Sequence, residues 1–91
     1  MALKQEEISM VVRRAAARQL GINVLGIQWG TNLIALGIDM AKLEGDVEDE
    51  LGLPAFDNKI LRARTVRDVT NAFWRRPLST PEKITKAIFG P

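Results

Sequence analysis

Between Lys4 and Leu20 the apolar residues Ile8, Val11, Val12, Ala15, Ala16 and Leu20 recur at helical spacing, and Gly21 follows at once. This spacing gathers them on one side of a helix, and a glycine just past the stripe readily takes the left-handed conformation that ends one. Gln5, Glu6 and Glu7 suit the positive N-terminal end of the same helix. An amphipathic helix of this length must be covered, so the rest of the 91-residue chain has to supply elements that pack on its stripe. A chain this short forms one small domain with a compact core and no room for a large enclosed active site.

Residues 22–31 follow neither the helical nor the strand period and contain Gly26 and Gly30. They predict a long loop laid over the core through Val24, Ile27, Trp29 and Leu33, with short strands as the alternative. A second helix is expected from about Asp39 to Leu51: Asp39 is a good N-cap, Met40, Leu43 and Val47 form a stripe, and Gly52 and Pro54 stop it. A short third helical turn at 57–61 would bury Ile60 and Leu61. Thr65-Val-Arg-Asp68 has the form of a capping box opening a fourth helix, with Val66, Val69 and Phe73 inward and Pro77 at or just after its end. Ser79-Thr-Pro-Glu82, with Ile84, Ala87 and Ile88, predicts a short terminal helix. The expected fold class is all-α: a bundle over residues 1–76 with one long first loop, then a tail over 77–91.

Composition narrows the chemistry. The chain has no Cys and no His, which removes disulfides, thiolate nucleophiles and the commonest general base and metal ligands. No catalytic residue and no metal site is expected. The carboxylates of the second helix lack the apolar enclosure that would separate the pKa values of an acid/base pair, and they lack the glycine-hinged spacing of a calcium loop. No apolar run approaches the length of a membrane span and the N-terminus has no apolar leader stretch, so the expected location is cytoplasmic.

The net charge of +2 conceals a strong polarity. Residues 1–37 carry +2, residues 38–58 carry −6 and residues 59–91 carry +6. Glu44, Asp46, Glu48, Asp49 and Glu50 form a run with no intervening base, and Glu44/Glu48 and Asp46/Glu50 repel one another at i,i+4, at a few tenths of a kcal/mol per pair. A face that only had to be solvated would usually interleave Lys or Arg. Block asymmetry of this kind points to partners.

The order of these features resembles the acyl carrier protein family, small four-helix carriers of fatty-acid, polyketide and peptide synthesis. The matching residues are Leu20-Gly21 at the end of the first helix, Thr31-Asn32-Leu33 and Leu36-Gly37-Ile38-Asp39 at the close of the loop, Leu51-Gly52-Leu53 after the acidic helix, and Thr65-Val66-Arg67-Asp68-Val69. Each is common alone; their shared order and spacing over about residues 5–74 carry the likeness. The resemblance implies a four-helix carrier-like bundle with a short extra C-terminal helix. It also implies 4′-phosphopantetheine attached to a serine directly after Asp39, a phosphopantetheinyl transferase that attaches it, and synthase or transferase partners with basic docking patches that read Glu44, Asp46, Glu48, Asp49 and Glu50. Charge pairing of that kind speeds encounter and sets orientation more than it adds affinity.

The chain departs from the family at that serine: Asp39 is followed by Met40. One serine between them would bring Met40-Ala-Lys-Leu-Glu44 onto the family register, and the helix is about two residues short further on. Asp39 and Met40 are therefore the residues expected to flank the attachment point, Met40 either touching the arm or making a core contact. Two forms follow: a carrier whose modified serine lies outside the standard residues, or a degenerate carrier that acts as a non-catalytic interaction module. Trp29 and Trp74 read as core in preference to a ligand groove. Arg62, Arg64, Arg67, Arg75 and Arg76 raise a further alternative, a small basic nucleic-acid-binding domain, against which the acidic helix weighs.

Overall fold

The computed structural model describes residues 4–74, and among them the regular structure is entirely helical. The elements are α1 (Gln5–Leu20), a one-turn 3-10 helix (Val24–Gly26), α2 (Met40–Leu51), α3 (Asp57–Ile60) and α4 (Val66–Phe73). The expected terminal helix, Pro77, Arg75 and Arg76 lie outside the described residues.

Local chemistry accounts for the helix ends. Lys4 has no side-chain acceptor to cap α1, and the carboxylate of Glu7 instead accepts the Lys4 N–H at 2.9 Å. Gly21 ends α1 at φ 66 and Gly52 ends α2 at φ 70, both left-handed. Asp39 caps α2 by accepting the Lys42 N–H at 3.2 Å. Thr65 caps α4 by accepting the Asp68 N–H, while the Asp68 carboxylate accepts the N–H groups of Thr65 and Arg64 at 3.2 and 3.0 Å. Burial pushes the Asp68 carboxyl up. The two backbone N–H groups, the Thr65 hydroxyl and the nearby Arg67 charge outweigh that push and hold it below the ordinary carboxylate value.

The core is the α1 stripe, with Ile8, Val11, Val12, Ala15, Ala16 and Ala17 all buried, covered by Leu43 and Val47 of α2 and Val66, Val69, Ala72 and Phe73 of α4. Each fully buried Val, Leu, Ile or Phe contributes about 1.5–3 kcal/mol. The C-terminal turn of α4 meets the start of α1 where the Gln5 side-chain Nε2 donates to the Asn71 side-chain Oδ1 at 2.7 Å. Ile27 and Leu33 of the first loop are fully buried.

The loop is also fastened by its backbone. The Leu33 N–H donates to the Arg64 carbonyl at 2.7 Å, the Val66 N–H to Thr31 at 3.2 Å and the Arg67 N–H to Trp29 at 3.0 Å. Asn32 and Thr65 form an isolated antiparallel bridge, which is what the possible short strands amount to.

Two core expectations are corrected. Trp29 is 39% exposed, because its chain segment turns Ile27 and Leu33 inward and leaves the indole at the surface. Leu61 is 84% exposed: α3 stops at Ile60, and Ile60 alone packs against the core. Trp74, directly after fully buried Phe73, is half-buried against the core.

Candidate functional site

The residues singled out by the sequence lie on α2, which is positioned by three local devices. Gly37, at φ 84, turns the loop. Ile38 is buried beside it and its N–H donates to the Leu33 carbonyl at 3.1 Å. Gln19, in the last turn of α1, then clasps Asp39 from both sides: its Nε2 donates to the Asp39 carbonyl at 3.0 Å, and its Oε1 accepts the Asp39 N–H at 2.9 Å. The first turn of α2 is thereby fixed against the last turn of α1.

Asp39 is exposed at the cap, and Met40 is half-buried, packed against the core. The exposed positive end of a helix is a favourable place for an anionic group. Neither residue fits phosphopantetheine as a covalent group, however, since the phosphodiester requires a hydroxyl and a carboxylate and a thioether supply none. Attachment at this end needs the serine that the family carries there.

The five carboxylates do not present one uniform surface. Glu50, near the end of α2, faces Arg14 at 3.5 Å and Arg18 at 3.7 Å, both on α1. These three side chains remain well exposed, and such a cluster is worth little as stability. It nevertheless neutralises one of the expected recognition charges. Glu48 is half-buried and accepts the Ala55 N–H at 3.4 Å, tying α2 to the segment after it. Glu44 and Asp46 are half-buried and Asp49 is exposed; neither Asp46 nor Asp49 forms an ion pair with a described residue. The carboxylates left for a partner are therefore centred on Asp46 and Asp49.

The Arg14–Glu50–Arg18 cluster escaped the sequence reading. Its signal was present in the i,i+4 spacing of Arg14 and Arg18 beside the buried stripe of α1, the place where long basic side chains reach across to a neighbouring acidic helix. Beside it, Glu7, Met10, Val11, Arg14, Glu50 and Leu51 line an open groove of about 400 Å³ between α1 and α2. Among the described residues no group of three or more acidic side chains is placed to hold a metal ion, and no helix is long and apolar enough to cross a membrane. Arg62, Arg64 and Arg67 are exposed around the start of α4.

The sequence matches no protein-family model and no curated protein, so any functional assignment rests on these residues and their geometry.

Proposed function

We propose that this chain is a carrier-protein-like four-helix domain of an acyl, polyketide or peptide assembly system, handled by other proteins through the acidic face of α2. The observation that supports it best is the construction of the start of α2. Left-handed Gly37, the Asp39 cap and the Gln19 clasp hold the Asp39–Met40 junction at an exposed helix end, with carboxylates further along the same helix. In the family this junction carries the serine that receives the 4′-phosphopantetheine arm. Synthases or transferases with basic docking patches would read Glu44, Asp46, Glu48, Asp49 and Glu50, of which Asp46 and Asp49 have no ion-pair partner among the described residues. The domain performs no chemistry of its own, and its work is cytoplasmic presentation and release.

A second reading, favoured by Met40 occupying the first position of α2 with its side chain against the core, is a degenerate carrier that keeps the docking surface without the arm. Intact mass separates the two. The protein is weighed as purified, then after incubation with a promiscuous phosphopantetheinyl transferase and coenzyme A. A mass exceeding the sequence by one serine, with or without the arm, supports the carrier. A mass equal to the sequence and unchanged by the transferase leaves the interaction module. For that module, pull-down by immobilised synthase domains that Asp46→Lys with Asp49→Lys abolishes is the supporting result, and binding indifferent to those charges overturns docking through α2.

A further inference from the structure

Ile22, Leu25, Trp29, Ile34 and Leu36 all lie between α1 and α2, and each is 39% to 81% exposed. Apolar side chains this large, concentrated in so short a segment, exceed the scattered exposure usual on a soluble domain and mark a contact surface. The segment is not a loose flap. Ile27 and Leu33 anchor it in the core, and its backbone is hydrogen-bonded to the N-terminal turn of α4. The same bonds set it beside basic residues: the Trp29 carbonyl accepts the Arg67 N–H and the Leu33 N–H binds the Arg64 carbonyl. Arg64 and Arg67 are exposed and form no ion pair with a described residue; Asp68, the carboxylate closest in sequence, lies near enough to feel the Arg67 charge but directs its hydrogen bonds to the N–H groups of Arg64 and Thr65.

We propose that this segment, together with Arg64 and Arg67, seats reversibly on an anionic lipid surface. A bilayer offers both complements at once, phosphate headgroups for the guanidinium groups and, just beneath them, an apolar layer for Leu25, Ile22 and Ile34, with the Trp29 indole at the boundary where Trp is favoured. Single-stranded nucleic acid would answer the charges and could stack on Trp29, but it gives the aliphatic side chains no partner. This seating is independent of whether the domain carries an arm.

The test uses the full chain with Trp74→Phe, so that emission reports Trp29 alone, and vesicles of phosphatidylcholine with or without phosphatidylglycerol. Co-sedimentation with the anionic vesicles only, together with a blue shift of Trp29 emission, is the expected result. Arg64→Gln with Arg67→Gln should weaken vesicle binding roughly 30-fold, at about a fivefold loss for each basic residue removed near the surface. Leu25→Ser, at the most exposed of the five positions, should weaken it independently and leave the urea midpoint unchanged. Failure to bind anionic vesicles overturns the proposal. So does binding that neither set of substitutions weakens, which would place the contact elsewhere on the chain, and so does capture of a single-stranded oligonucleotide in preference to vesicles.

Discussion

The side-chain amide of Gln19 satisfies both backbone groups of Asp39, joining the last turn of α1 to the first of α2 through two hydrogen bonds of 3.0 and 2.9 Å. An amide is the one side-chain group that can donate and accept in this paired geometry. Gln19→Ala removes both bonds at an exposed site and should lower stability by about 1 kcal/mol. Gln19→Glu keeps the acceptor but sets a carboxylate oxygen against the Asp39 carbonyl, so it should destabilise at least as much. Urea denaturation of the two variants checks the order.

Gly37 and Gly45 make a matched pair, since an added Cβ would meet nothing within 4 Å at either. Space is therefore equal and backbone conformation decides. At Gly37, where φ is 84, Ala should cost about 1–2 kcal/mol. At Gly45, inside α2, Ala should instead stabilise by about 0.5–1 kcal/mol. Opposite shifts in Tm are expected, and shifts of one sign would remove conformation as the cause.

The Asp68 carboxyl titrates lower in the folded chain than its ordinary value, so its charged form stabilises the fold. That contribution is complete above the unfolded-state carboxylate pKa and is lost as pH falls through the lower folded value. Asp68→Asn should lower the urea midpoint at neutral pH and flatten the acid limb of the midpoint-against-pH curve. Thr65→Ala, which removes the other half of the capping box, should cost about 1 kcal/mol.

Thr70 is fully buried on α4 and its hydroxyl has no hydrogen-bond partner among the described residues. Leaving such a group unsatisfied is costly, and valine has nearly the same shape without it. Thr70→Val is expected to be neutral or to stabilise by up to about 1 kcal/mol in thermal or urea unfolding. Ser9, likewise buried on α1 without a partner for its hydroxyl, offers the parallel test with Ala.

What the sequence revealed and what it withheld divide along physical lines. The starts of α1, α2 and α4 and the ends of α1 and α2 were legible because caps and terminal glycines act within a few residues: Asp39 on Lys42, Thr65 on Asp68, Gly21 and Gly52 in the left-handed region. The inward stripes were legible for the same reason. Trp29 and Leu61 were misread because hydrophobicity gives a preference for burial but not a direction. Adjacent Ile60 and Leu61 point roughly 100° apart on a helical turn, and only one of them can face the core. The Gln19 clasp and the Arg14–Glu50 contact span 20 and 36 residues; the spacing of Arg14 and Arg18 sets basic side chains beside the stripe, but no local pattern names the distant group that either contact meets. At the α2 site the carboxylates themselves were evident, whereas their division into internally engaged and outward-facing groups depends on how α1 passes beside them.

The hydrogen bonds between residues 29–33 and 64–67 close the chain on itself around everything in between, α2 included. A helix held within such a closure can gain or lose a turn with the difference absorbed between two fixed points, while the α1–α4 pairing on either side is left in register. The outward side of the helix that bears the candidate recognition face is thus the exchangeable part of this architecture, while Leu43 and Val47 keep its inner side in the core. Replacement of its outward-facing residues by design is a change that leaves the surrounding frame in place.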